Sequence, residues 1–237
     1  MKQICQIEYT EATAPENMAM DAAMLAFGHS SRRAMWRFYG WTGEAMTFGY
    51  SQRWRDVQTM AAGFKGSLVR RLTGGGIVDH RNDLTYALTL PPDHTFYRKQ
   101  ALEIYQELHL GIAEILRTSG IAAELAPCGR PCGEESSHSA NTFCFPSAEP
   151  YDVIQADSGS KIAGAAMKRS QSGILVQGSL DKEKLANLAP ETFIAAFGGF
   201  LAEWMDLESV PSGNSLPQGI LEKERRRFSS REWNERR

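Results

Sequence analysis

The sequence predicts an α+β fold, a mixed and largely antiparallel sheet flanked by helices. Three observations carry that expectation. Strand-like segments follow one another in the chain across hairpin-sized turns, most clearly in 151–180. Helical periodicity is confined to a few segments, so strand and helix do not alternate as in a doubly wound parallel sheet. The 237 residues are 42% hydrophobic and 23% charged, a globular composition with ample side chains for a core.

The elements follow in order. Gln3 to Tyr9 reads as a short strand, and Asn17 to Phe27 as a helix with Met18, Ala22, Leu25 and Ala26 at helical spacing and a cap near Glu16 or Asn17. Met35 to Tyr39 and Ala45 to Tyr50 read as strands around a Gly40–Gly43 turn. Ser67 to Leu72 is a strand that runs into Thr73-Gly74-Gly75-Gly76. Leu84 to Leu90 alternates, with Leu84, Tyr86, Leu88 and Leu90 on one face, and Pro91-Pro92 ends it. Lys99 to Thr118 is the clearest helix, with Ala101, Ile104, Tyr105, Leu108, Ile112, Ile115 and Leu116 as its apolar positions and Gly120 as its stop. Pro127 to Asn141 is polar and glycine-rich and reads as a loop or lid. Tyr151 to Ala156, Lys161 to Lys168 and Gly173 to Leu180 form an expected meander, followed by helices at Asp181 to Leu188 and Pro190 to Trp204. One domain over residues 1–208 is expected. Residues 209–237 are read as a solvated charged tail with no separate accessory domain, its end anchored by Phe228 and Trp233 alone.

Net charge is −2, so no basic excess points to nucleic acid or an anionic membrane. The longest apolar run, Phe193 to Ala202, is too short to span a bilayer, and the N-terminus lacks a signal-peptide core. A cytoplasmic setting with free thiols is expected. The four cysteines, Cys5, Cys128, Cys132 and Cys144, match neither a disulfide scaffold nor a zinc signature, and no metal site is expected.

Chemistry first suggests itself at Arg70-Arg71-Leu72-Thr73-Gly74-Gly75-Gly76-Ile77-Val78-Asp79-His80. Successive glycines let the backbone approach a ligand and aim N–H groups at an anion or carbonyl. The arginines alternate on a strand, so one of them reaches the ligand. The spacing is neither a Rossmann fingerprint nor a P-loop. A glycine-rich hairpin turn beside a surface arginine pair is the competing reading. Lys161 opens a strand of small residues, Ala163, Gly164, Ala165 and Ala166, that leaves room for a ligand. A lysine there can hold an acyl oxygen or lower the pKa of a nearby thiol. Cys144, between Phe143 and Phe145, is a candidate nucleophile or a buried structural thiol, and for Lys161 the competing reading, the usual one for such a residue, is a solvated strand-start lysine.

Together these segments resemble the lipoate-protein ligase and octanoyltransferase family. The glycine segment followed by Asp83-Leu84-Thr85-Tyr86 resembles its first signature, and Lys161-Ile162-Ala163-Gly164-Ala165-Ala166 its second. Arg37 to Trp41, Phe48 to Gln52 and Asn17 to Asp21 resemble its N-terminal part, in the same order. The resemblance implies the biotin/lipoate ligase catalytic fold. It implies an eight-carbon acyl site bordered by Arg70, Arg71, Leu72, Thr73, Gly74, Gly75, Gly76, His80, Tyr86, Ala163, Gly164, Ala165 and Gln177.

Cys144-Phe145 shortly before the lysine resembles the cysteine-dependent branch. That branch implies octanoyl transfer through a Cys144 thioester with Lys161 as counter-cation and proton shuttle, and no cofactor. The implied donors are octanoyl acyl carrier protein or a lipoyl domain. The implied acceptors are lipoyl domains of 2-oxoacid dehydrogenases (their E2 subunit) or the glycine cleavage H protein. An ATP- and Mg-dependent lipoate ligase working with an accessory protein is the alternative. A non-catalytic binder of lipoyl domains or acyl groups is a third, motivated by Gln177 and Arg81, where many relatives carry histidine and an acidic residue.

Overall fold

The first helix begins where local chemistry fixes it. The Glu16 carboxylate accepts from both the backbone N–H and the hydroxyl of Thr13, a capping box with Pro15 in the first turn. The helix therefore starts at Ala14, not near Asn17. Asn17 is an interior residue whose side chain ties this helix to the neighbouring strand through the Gly40 carbonyl.

The computed structural model describes residues 3–128, 148–185, 188–211 and 216–236. Among them, eleven strands form two sheets. The strands are β1 (Gln3–Ala12), β2 (Ala34–Trp41), β3 (Ala45–Phe48), β4 (Ser67–Arg70), β5 (Ile77–Asp79), β6 (Asp83–Leu90), β7 (Ala123–Leu125), β8 (Val153–Gln155), β9 (Lys161–Ser170), β10 (Gly173–Asp181) and β11 (Glu208–Pro211). The helices are α1 (Ala14–Ser31), α2 (Trp54–Met60), α3 (Ala101–Thr118), α4 (Pro190–Met205), α5 (Gln218–Phe228) and α6 (Arg231–Asn234).

The large sheet has the order β11-β1-β2-β6-β10-β9-β8-β7. Its pairings are antiparallel from β2 through β7, and parallel only where β1 joins β2 and β11. The mixed, largely antiparallel α+β architecture is thus the one the sequence predicts. The small sheet, β4-β3-β5, has one parallel and one antiparallel pairing.

Register divides the large sheet into two faces. Phe38, Tyr86, Gly178 and Ala165 form one cross-strand row, and the neighbouring row contains Arg37, Ala87, Gln177 and Ala166. Side chains alternate between faces along a strand, so the two rows point in opposite directions. The first row joins the larger core beneath α3 and α4. There Phe197 packs against Trp36, Phe38 and Tyr86 at ring separations of 5.1–5.7 Å. The second row faces α1.

Several expectations need correction. Asp181 to Leu188 is not a helix of that length: Asp181 ends β10 and only Lys182–Leu185 forms a 3₁₀ turn. The glycine segment is not a hairpin turn. It runs from β4 to β5, which do not pair but flank β3, so the loop crosses the end of that strand. The chain end is not a solvated tail. Strand β11 pairs with β1, α5 packs on α1, and Phe228 and Trp233 are buried. A helix polar on most sides reads as solvated from sequence, because its few apolar side chains give no complete stripe. The expected loop at 127–141 falls almost entirely outside the described residues.

Candidate functional site

The glycine loop is held from three sides. The Tyr50 N–H donates to the Thr73 carbonyl at 2.8 Å, and the Thr73 hydroxyl donates to Gln177 Oε1 on β10, also at 2.8 Å. Arg71 donates to the Gly74 carbonyl and, at 3.4 Å, to the Thr47 hydroxyl on β3. Gly49 and Gly75 touch so closely that a β carbon on Gly49 would stand 1.9 Å from the Gly75 oxygen, and Gly75 has φ +89°. Glycine is required at both positions, for close approach at the first and for the left-handed conformation at the second.

The two arginines diverge, as strand alternation requires. Arg71 bends back onto the loop. Arg70 is fully buried and donates to the carbonyls of Tyr50, Gln52, Trp233 and Asn234, so its fork joins the turn after β3 to the last helix. Its guanidinium ties backbone together, whereas Arg71 contacts the loop itself.

Gln177 links the loop to α1. Its amide nitrogen donates to Asp21 Oδ2 at 2.6 Å. Asp21 also accepts from Tyr39 and forms a fully buried ion pair with Arg37, which reaches the Asn17 carbonyl as well. Removing water from two charges is costly, and here the cost is offset by a carboxylate that receives donors from three residues.

At the other end of the loop, His80 Nδ1 lies 2.6 Å from Asp83 Oδ2, and Nε2 lies 2.8 Å from the Thr47 hydroxyl. The ring nitrogens are thus both engaged, Nδ1 with the carboxylate and Nε2 with the hydroxyl. The ring stacks on Trp41 at 3.9 Å, and Trp41 donates to Thr85, whose hydroxyl donates in turn to Asp83. A continuous polar chain therefore runs from Arg71 through Thr47 and His80 to Asp83.

Lys161 faces the same side of the sheet. A β carbon on Gly164 would stand 2.6 Å from Lys161 Nζ, so the ammonium lies directly over Gly164. Gly164 shares a cross-strand row with Ser179 and Thr85. The ammonium pairs with Asp152 Oδ2 at 2.8 Å, and the two side chains are 8% and 1% exposed. This is a buried ion pair at a strand edge, not a solvated strand-start lysine. Asp152 also accepts from the Glu149 N–H and from the Tyr105 hydroxyl.

The expected site residues thus divide by face. Thr73, Gln177 and His80 are bonded to the loop directly or through Thr47, Gly164 lies beside the Lys161 ammonium at the edge of the sheet, and Leu72 is buried in the α1-side core. Tyr86, Ala163 and Ala165 pack into the core on the opposite side. Cys144 lies outside the described residues. Four participants were missed as site residues: Asp152, Tyr105, Asp21 and Asp83. Their partners are mostly distant in sequence, and only Asp83, three residues from His80, carried a local signal. Among the described residues no group of three metal-ligating side chains converges, and no helix is long and apolar enough to cross a membrane.

This fold is that of lipoate-protein ligase catalytic domains. A crystal structure of lipoate-protein ligase A bound with ATP superposes with a TM-score of 0.75 at 17% identity, covering 99% of each chain. The bipartite lipoate protein ligase of Thermoplasma acidophilum gives 0.72 at 16% identity, covering 99% of this chain and 96% of that one. The chain belongs to the lipoyl protein ligase A/B catalytic domain family, which it matches over residues 13–188. It is 32% identical to octanoyltransferase LipM of Macrococcus caseolyticus over 69% of this chain and 60% of that protein. It is also 32% identical to octanoyltransferase LipM of Bacillus subtilis, over 77% of this chain and 68% of the relative. The aligned region spans about three fifths of the length of most of these curated relatives.

Proposed function

We propose that this protein transfers an octanoyl group, by way of a Cys144 thioester, to a lysine of a lipoyl domain. The observation that carries the reading is the buried Lys161 ammonium, held over Gly164 on the face that also carries the glycine loop. The likeness to proteins named octanoyltransferase LipM supports the acyl group and the reaction class. In the first step the Cys144 thiolate adds to the carbonyl of a carrier-bound thioester. The tetrahedral oxyanion meets N–H groups of the glycine loop, and the carrier thiolate leaves with a proton from Lys161. In the second step the acceptor lysine amine displaces Cys144, forms the amide and returns its proton to Lys161. Two easier steps replace one, and neither needs ATP.

Intact mass after incubation with octanoyl acyl carrier protein tests this. The expected product is a hydroxylamine-labile octanoyl adduct that is lost in Cys144→Ser. No adduct, together with lipoyl-AMP formed from lipoate and ATP, overturns the reading in favour of a ligase. Neither product leaves a binding protein.

A further inference from the structure

Tyr105 lies on the apolar stripe of α3, the helix that covers the opposite face of the sheet from the glycine loop. Its ring is partly buried there, yet its hydroxyl reaches the edge of β9 just beyond the point where pairing with β8 ends. At that edge the hydroxyl does two things. It donates to Asp152 Oδ1, and it accepts from the Ala165 N–H at 3.2 Å. Its one proton and a lone pair are both engaged, and the phenol bridges the carboxylate to the backbone of the strand that carries Lys161.

We propose that Tyr105 is a positioning residue for Lys161, acting through Asp152. The proposal rests on the reading of Lys161 given above. A lysine side chain has four rotatable bonds and its ammonium is a point charge, so one carboxylate fixes it only if that carboxylate is itself fixed. Asp152 is fixed from both sides: Oδ2 takes the Glu149 N–H at 2.7 Å and Lys161 at 2.8 Å, and Oδ1 takes Tyr105. Of these holds, Tyr105 alone connects Asp152 to β9 without passing through the lysine.

The neighbouring groups Tyr105, His109 and Tyr86 stay neutral at neutral pH. Burial and the neighbouring Asp152 charge push the Tyr105 phenol well above its ordinary range, so it remains a donor. His109, one helical turn on, packs edge-on against Tyr105 at 4.0 Å and donates from Nδ1 to the Tyr151 carbonyl. Burial pushes its pKa down to about 4, so it puts no second cation beside Lys161 at neutral pH. Tyr86, the third titratable group near the carboxylate, is pushed above the ordinary range by burial and by Asp152.

The test is a double-mutant cycle with Tyr105→Phe and Asp152→Asn on the full chain. Tyr105→Phe is expected to lower kcat for acyl transfer about tenfold, with KM for the donor within about twofold. In the Asp152→Asn background the same change is expected to cost less than about twofold, because its route to Lys161 is already cut. Independent, multiplicative effects overturn the proposal, as does an unchanged kcat in Tyr105→Phe.

A second measurement needs neither activity nor the Asp152 variant. Trace acetylation with acetic anhydride at fixed pH reports Lys161 against the exposed Lys65, Lys182 and Lys223 of the same molecule. Relative labelling of Lys161 is expected to rise severalfold in Tyr105→Phe as the ammonium leaves its seat, and unchanged labelling overturns the proposal. If the wild-type protein transfers no acyl group, the functional reading fails, while the labelling still decides whether Tyr105 positions the lysine.

Discussion

The two faces of the large sheet are built on different physics. Toward α3 and α4 the rings of Trp36, Phe38, Tyr86, Phe193 and Phe197 fill the space between layers. Their attraction is non-directional, and its size follows the area withdrawn from water. Toward α1 and the glycine loop the buried groups include Arg37, Asp21, Asn17, Gln177 and Thr73, joined by directional bonds in which each donor has an acceptor. An apolar face tolerates a change of shape at modest cost. A charged network fixes geometry but leaves an unpaired charge when one member is lost. The glycine loop hangs from the second face, so its position is set by bonds, and the first face supplies the stability that supports them.

Three variants break or sharpen this contrast, from the largest expected effect to the smallest. Arg37→Met leaves Asp21 buried without its cation and is expected to cost about 3–5 kcal/mol in urea unfolding. Adding Asp21→Asn should recover a large part of that loss. If it recovers nothing, Arg37 contributes through packing and the contrast between faces fails.

His109 is the polar intrusion on the apolar side. Its native pKa of about 4 lies below the unfolded value near 6.5, so the unfolded chain binds the proton first and stability falls as pH drops through that window. The loss should reach about 3 kcal/mol by pH 4. His109→Asn keeps a donor for the Tyr151 carbonyl and should remove this part of the pH dependence. An equal slope in both proteins would assign the titration to other groups.

Phe197→Leu retains most of the apolar volume at the centre of the aromatic cluster and should cost only about 1–1.5 kcal/mol. A loss approaching that of Arg37→Met would mean that the rings are packed as specifically as the polar network.

The sequence made legible what depends on neighbours in the chain. The alternation of Leu84, Tyr86, Leu88 and Leu90 forms one face of β6, and the stripe from Ile104 to Leu116 is buried along α3. Lys161 begins β9 as expected, and the glycine segment joins two strands. The start of α1 is local too: Thr13 and Glu16 have the spacing of a capping box, one turn ahead of the apolar periodicity that begins at Met18. Other features had no clear local signal. Tyr105 and Asp152 meet across 47 positions, and a tyrosine at a helical apolar position reads as core whether or not its hydroxyl has work to do. The arginine-rich α5 docks on α1 through a face marked by Ile220, Leu221 and Phe228 at helical spacing, a signal masked by the charge around it.

The buried fork of Arg70 also sets an order of events during synthesis. The strand that leads into the glycine loop takes support from Trp233 and Asn234, and its Arg70 N–H bonds to an Asn234 side chain 164 residues later in the chain. At translation speeds of about 5–20 residues per second, that partner emerges on the order of ten seconds after the loop. Until then the Arg70 guanidinium lacks two of its carbonyl partners, those of Trp233 and Asn234, while those of Tyr50 and Gln52 are already present. The bonds from β4 to residues 233 and 234 therefore form after Gln177 has already emerged to meet Thr73, and they are the last of the described supports at the loop's β4 end.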